Sequence, residues 1–144
     1  MLFLKGGHKK HSKSNKANMT KPVIKWIDVQ VTAANQKFTE QIELEKTVLS
    51  IRGLALSSIR NDLMYFRGSQ RVEINRDEIF PEGYQSQMLM TGTNVPLNDK
   101  YYKTGDMKPG NGIIKMDYQD TDDGRTVFTP YSVRLNIECL IDEV

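Results

Sequence analysis

The 144-residue chain has one cysteine, Cys139, and two histidines, His8 and His11. A lone cysteine makes no internal disulfide, so the fold is expected to do without an oxidising compartment. Both histidines lie near the start, which leaves the rest of the chain with no imidazole for general-base work or metal ligation near neutral pH and excludes most catalytic triads. One cysteine far from two histidines cannot supply the closely spaced ligand pairs of a structural zinc site. Long apolar runs are missing too. The longest, residues 48–59, is broken by Arg52 and several serines and falls short of the roughly 20 residues of a spanning helix. Met1, Leu2, Phe3 and Leu4 are too few for a signal-peptide core, so no secretion route is expected and the Asn18 sequon reads as chance. With 38% hydrophobic and 26% charged residues, 10 glycines and 5 prolines, the chain is neither a fibre nor wholly disordered. One domain with a tail is expected.

Negative charge is absent from the first 27 residues, because Asp28 is the first acid. Lys5, Lys9, Lys10, Lys13, Lys16 and Lys21 form a basic arm, residues 1–21, with Gly, Ser and Asn between them. The other 14 basic residues face 18 acidic ones, so the body, residues 22–144, carries a net −4 within a chain of +2. The arm has little to bury and is expected to be flexible. Such a polycation can neutralise nucleic-acid phosphates or meet an anionic membrane, but it has no aromatic residue among its lysines to stack on bases.

From residue 22 the hydrophobic period is two, the period of strands. Residues 23–31 set Ile24 and Trp26 against Ile27, Val29 and Val31, which predicts a strand covered on both faces. Residues 37–44 alternate as a half-buried strand, with the turn at 33–36, and residues 47–59 read as a strand with a bulge at Gly53. A short helix near Leu54, Ile59 and Leu63 is the competing reading there. Residues 70–75 and the apolar run 88–90 add strands. Residues 80–84 and 91–96 read as loop, and so does 98–112 with its glycines, placing Phe80, Tyr84, Tyr101 and Tyr102 on candidate interface loops. A hairpin is expected from 113–118 to 125–129 across Asp122, Asp123 and Gly124. Val133, Leu135, Ile137, Cys139 and Ile141 line one face of a terminal strand. About eight strands without a ten-residue amphipathic helix predict an all-β fold, an antiparallel two-sheet sandwich. A single jelly roll fits, with strand 23–31 beside strand 131–141. The immunoglobulin alternative lacks its cysteine pair.

No residues form a catalytic signature, so the protein is expected not to be an enzyme and to need no cofactor. Cys139 reads as a core thiol, and Asp120, Asp122 and Asp123 read as turn acids, because the spacing fails the calcium-loop pattern. Residues 104–110 lack phosphate-loop spacing. Glu73, Asp77, Glu78 and Glu82 read as a solvated face.

A basic arm, an acidic sandwich, long end loops and no catalytic residues together resemble viral coat subunits of single jelly-roll type. The stretch from residues 48–55 (VLSIRGLA) to 80–84 (FPEGY) is similar to structural proteins of small tailless icosahedral bacteriophages. The resemblance implies a vertex (penton) subunit of the virion, assembled in the host cytoplasm. It implies a homo-oligomer, a pentamer, beside a neighbouring major coat protein, with the arm running inward to coat protein, internal membrane or genome. The arm contains no arginine, unlike many RNA-virus coats, which weighs against genome packaging. Two other classes fit the composition: a nucleic-acid-binding accessory protein that uses the arm as a clamp, and a carbohydrate-binding sandwich using Tyr84, Tyr101 and Tyr102.

Overall fold

A computed structural model describes residues 19–92, 94–96 and 99–142. Eight antiparallel strands run as β1 (Thr20–Val31), β2 (Lys37–Glu43), β3 (Val48–Ser57), β4 (Gly68–Ile74), β5 (Asp77–Gln85), β6 (Tyr102–Met107), β7 (Ile113–Asp120) and β8 (Tyr131–Asp142). One seven-residue helix, α1 (Asn61–Arg67), joins β3 to β4, and a 3-10 turn (Ser86–Leu89) follows β5. The strands form two four-stranded sheets, in the orders β1-β8-β3-β6 and β2-β7-β4-β5. All connections except the β4–β5 hairpin therefore cross from one sheet to the other.

Alternation explains the core. Ile27, Val29 and Val31 of β1 and Leu135, Ile137 and Cys139 of β8 are buried and face the other sheet, where Val72, Ile114 and Met116 are buried in turn. The first and last strands pair along their whole lengths, from Thr20 against Asp142 to Val31 against Tyr131, as expected. The opposite face of β1 differs from expectation. Ile24 and Trp26 are 41% and 48% exposed, so the strand is covered on one face only.

The strand total agrees with the expectation, but two of the elements do not. The run 88–90 overlaps the 3-10 turn, and residues 125–129 form no strand, because Asp123 accepts hydrogen bonds from the Arg125 and Thr126 amides while Arg67 takes the Thr126 carbonyl. Two segments that read as loop are strands instead, and both lie at sheet edges. β5 carries Pro81 and a positive-φ Gly83, and β6 carries Gly105 and Asp106 at positive φ. An edge position tolerates these residues, because the outward backbone groups have no ladder partner to lose. The β4–β5 turn is a two-residue hairpin with Asn75 and Arg76 both at positive φ, the geometry that matches strand twist. The competing helix reading was right in kind, although α1 begins after Ile59.

The two ends of the sandwich differ. Connections 44–47, 75–76 and 108–112 are short and gather at the end where β1 begins. Connections 32–36, 58–67, 86–101 and 121–130 gather at the other end, and all but the first are longer. Gly68 lets α1 close against this end: a Cβ there would meet the Tyr118 hydroxyl, the Ser86 hydroxyl and the Met64 carbonyl oxygen. Gly68→Ala is expected to lower stability by about 1–3 kcal/mol, the usual cost of overpacking, measured as a shift in urea midpoint at constant slope.

Candidate interaction surface and its buried support

Arg67 closes α1 and Asp120 closes β7. Their side chains are 2% and 0% exposed and meet in a two-pronged pair, Nη2 to Oδ2 at 2.8 Å and Nε to Oδ1 at 3.1 Å. Both groups make further hydrogen bonds. Arg67 Nη1 donates to the Thr126 carbonyl oxygen at 2.9 Å and to Asp122 Oδ1 at 3.2 Å, and its guanidinium lies over the Phe128 ring. Asp120 accepts from the Tyr131 hydroxyl at 2.7 Å and from the Asn35 amide at 3.0 Å. Asn35 Oδ1 in turn accepts from the Asp122 amide. Connections 32–36, 58–67 and 121–130 are thus fastened to one ion pair.

The protonation states follow from the surroundings. Burial pushes the Asp120 carboxyl up, but the hydrogen bonds from Arg67, Tyr131 and Asn35 outweigh it and hold the group below its ordinary range. Burial pushes Tyr118 up to about 12 and raises Tyr131 as well. The pair is therefore charged and both phenols are neutral at neutral pH.

Above this support the end exposes large apolar side chains. Ile59 is 92% exposed, Val127 81%, Met88 63% and Phe66 51%, and Tyr65 sits edge-on to Phe66. Arg60 ties the start of α1 to connection 121–130 through Thr129 Oγ1. These apolar residues all belong to connections at one end of the sandwich, which makes that end a candidate interaction surface. Scattered single residues would not mark one.

The expected site residues fall in different places. Lys5, Lys9, Lys10, Lys13 and Lys16 lie outside the described residues, and Lys21 is an exposed residue of β1 paired with Ile141. Phe80 is not on a loop: it is a buried residue of β5, stacked on Tyr84 and edge-on to Tyr102 of β6. These three rings join the outer strands of the two sheets, so Phe80 and Tyr84 serve packing. Tyr102 starts β6 and is 48% exposed, and Tyr101 packs against Gly53. Sequence reasoning missed Arg67 and Ile59; Arg67 gave no signal, whereas an isoleucine followed by Arg, Asn and Asp was a readable one.

Other chemistry is ordinary. Glu73 and Glu78 pair with Arg71, and Glu82 pairs with Lys37. Cys139 is fully buried, and burial pushes its thiol up to about 11. Asp123 is held down to about 2 by hydrogen bonds from the Thr126 and Arg125 amides and the Thr126 hydroxyl, which makes it a turn acid. Among the described residues, no three His, Cys, Asp or Glu side chains stand where they could hold a metal ion, and no helix is long and apolar enough to cross a membrane.

Removing one partner of a buried pair strands the other charge. Asp120→Asn or Arg67→Met should each cost about 3–5 kcal/mol in chemical denaturation, and an apolar double replacement should cost much less than the sum. Because Asp120 titrates lower in the folded chain than in the unfolded one, its contribution is complete above the ordinary value of 3.8 and is lost as the pH falls below it. The Asp120→Asn protein should lack that part of the acid-induced fall in denaturation midpoint. Compared with known proteins, the chain has no significant match to any family model, curated protein or solved structure.

Proposed function

We propose that the chain is a single jelly-roll structural subunit of a viral shell, of the vertex type, acting as a closed homo-oligomeric ring. The strand order supports the jelly roll, since β1-β8-β3-β6 facing β2-β7-β4-β5 is the order that two interlocked Greek keys give eight strands. The observation that carries the structural role is the exposed apolar end over its buried ion pair, with Ile59 and Val127 almost wholly exposed. A face of this kind is built to be covered, and preorganisation lowers the entropic cost of covering it.

In this reading, the apolar end of each copy meets a different surface of its neighbour, and such heterologous contacts close into a ring; five copies suit a vertex. The start of the described chain lies away from these contacts. The arm joins the body at Thr20, and β1 runs about 37 Å from there to Val31 at the apolar end. The basic residues are thus placed to reach a neighbouring coat protein, a membrane or a genome.

Native mass spectrometry of the full chain at micromolar concentration tests the proposal. A discrete pentamer is expected. Ile59→Asp combined with Val127→Asp should return it to monomer while leaving stability within about 0.5 kcal/mol, as usual for exposed sites. A wild-type chain that stays monomeric across the concentration range contradicts the proposal.

A further inference from the structure

A second apolar feature lies on the opposite side of the sandwich from the Phe80 and Tyr102 contact, where edge strands β1 and β2 face each other. Ile24, Trp26, Ile42 and Leu44 line a groove of about 400 Å³, and Lys25, Glu43 and Glu45 form its charged rim. Trp26 is held in place there. The Arg134 guanidinium lies 4.5 Å from its ring centroid, and Arg134 pairs with Asp28 through two contacts of 2.7 and 3.1 Å. The rim has two carboxylates against one ammonium, and Lys25 is already engaged by Glu45 at 2.7 Å.

The chain contains a segment of matching chemistry. Met1, Leu2, Phe3 and Leu4 are the only large apolar residues among the first 18 and are followed at once by Lys5. We infer that Leu2, Phe3 and Leu4 of the same chain occupy the β1–β2 groove, with Lys5 reaching the acidic rim at Glu43. Reach permits it. Ile24 and Trp26 lie about 17 and 23 Å along β1 from Met19, whereas residues 5–18 span up to about 46 Å. Loop closure over so short a linker costs little, and tethering gives a high effective concentration. The groove also lies nearer the end where β1 begins than the apolar end, so docking leaves the ring contacts untouched and does not depend on the ring.

Trp26 is the only tryptophan, so its fluorescence reports on the groove directly. The full chain should be compared with a Leu2→Ser, Phe3→Ser, Leu4→Ser variant, whose changes lie outside the folded body. Acrylamide quenching of Trp26 should rise roughly twofold in the variant as apolar cover is lost. Glu43→Lys should weaken the protection in the otherwise unchanged chain. A synthetic peptide of residues 1–18, added to the triple variant, should restore it saturably. Equal quenching in both proteins overturns the inference, and so does protection that vanishes on dilution, which would assign the groove to another copy's arm. Protection that appears only when anionic phospholipid vesicles are added overturns it too, because the apolar residues would then be covered by lipid.

Discussion

The Arg67–Asp120 pair is the constraint on which the end of the sandwich depends. Two charges removed from water must recover their hydration through geometry, and here both find further partners, in connections 32–36 and 121–130 and at Tyr131 of β8. The consequence reaches beyond the pair. Residues 125–129 give up a hairpin because Arg67 and Asp123 claim their backbone groups, and α1 is held down at Arg67 while its outer residues, Tyr65 and Phe66, stay exposed. A network of this kind specifies one arrangement more than it adds net stability. It ties three connections together at this end of the sandwich.

The two sides of the sandwich are built differently, and the difference separates functions. On one side, Phe80, Tyr84 and Tyr102 join β5 to β6, and the apolar material there is spent on closing the fold. On the other, β1 and β2 approach without such a bridge and leave Trp26 and Ile42 beside a groove. The exposed end, the closed side and the open side therefore offer three distinct surfaces. The subunit role proposed above needs contacts with several neighbours at once, and this layout offers separate places for them.

Sequence pattern revealed six of the strands and hid β5 and β6, for a physical reason. β7 and β8 alternate cleanly because one face of each packs on the core, and β1 does so over its second half, at Ile27, Val29 and Val31. β5 and β6 have a ladder on one side only, so Pro81, Gly83 and Gly105 are tolerated there, and residues that normally break strands disguised them as loops. Phe80 and Tyr84 were misplaced with them. Exposed Ile24 and Trp26 looked like core because alternation reports a strand and says nothing about which face is covered. Cys139 and the turn role of Asp123 were legible from burial pattern and spacing alone. Asp120 was not: beside Asp122 and Asp123 it reads as one more turn acid, and only the fold brings Arg67, 53 residues earlier, against it.

The central claim is that the rigid apolar end is an association surface. Hydrogen exchange on the full chain, compared between dilute and concentrated solution, tests it most directly. The account predicts that amides around Ile59 to Phe66 and around Val127 gain protection on concentration, while those of connections 44–47, 75–76 and 108–112 exchange unchanged. Protection that is independent of concentration, or that rises at the short-turn end instead, would contradict it.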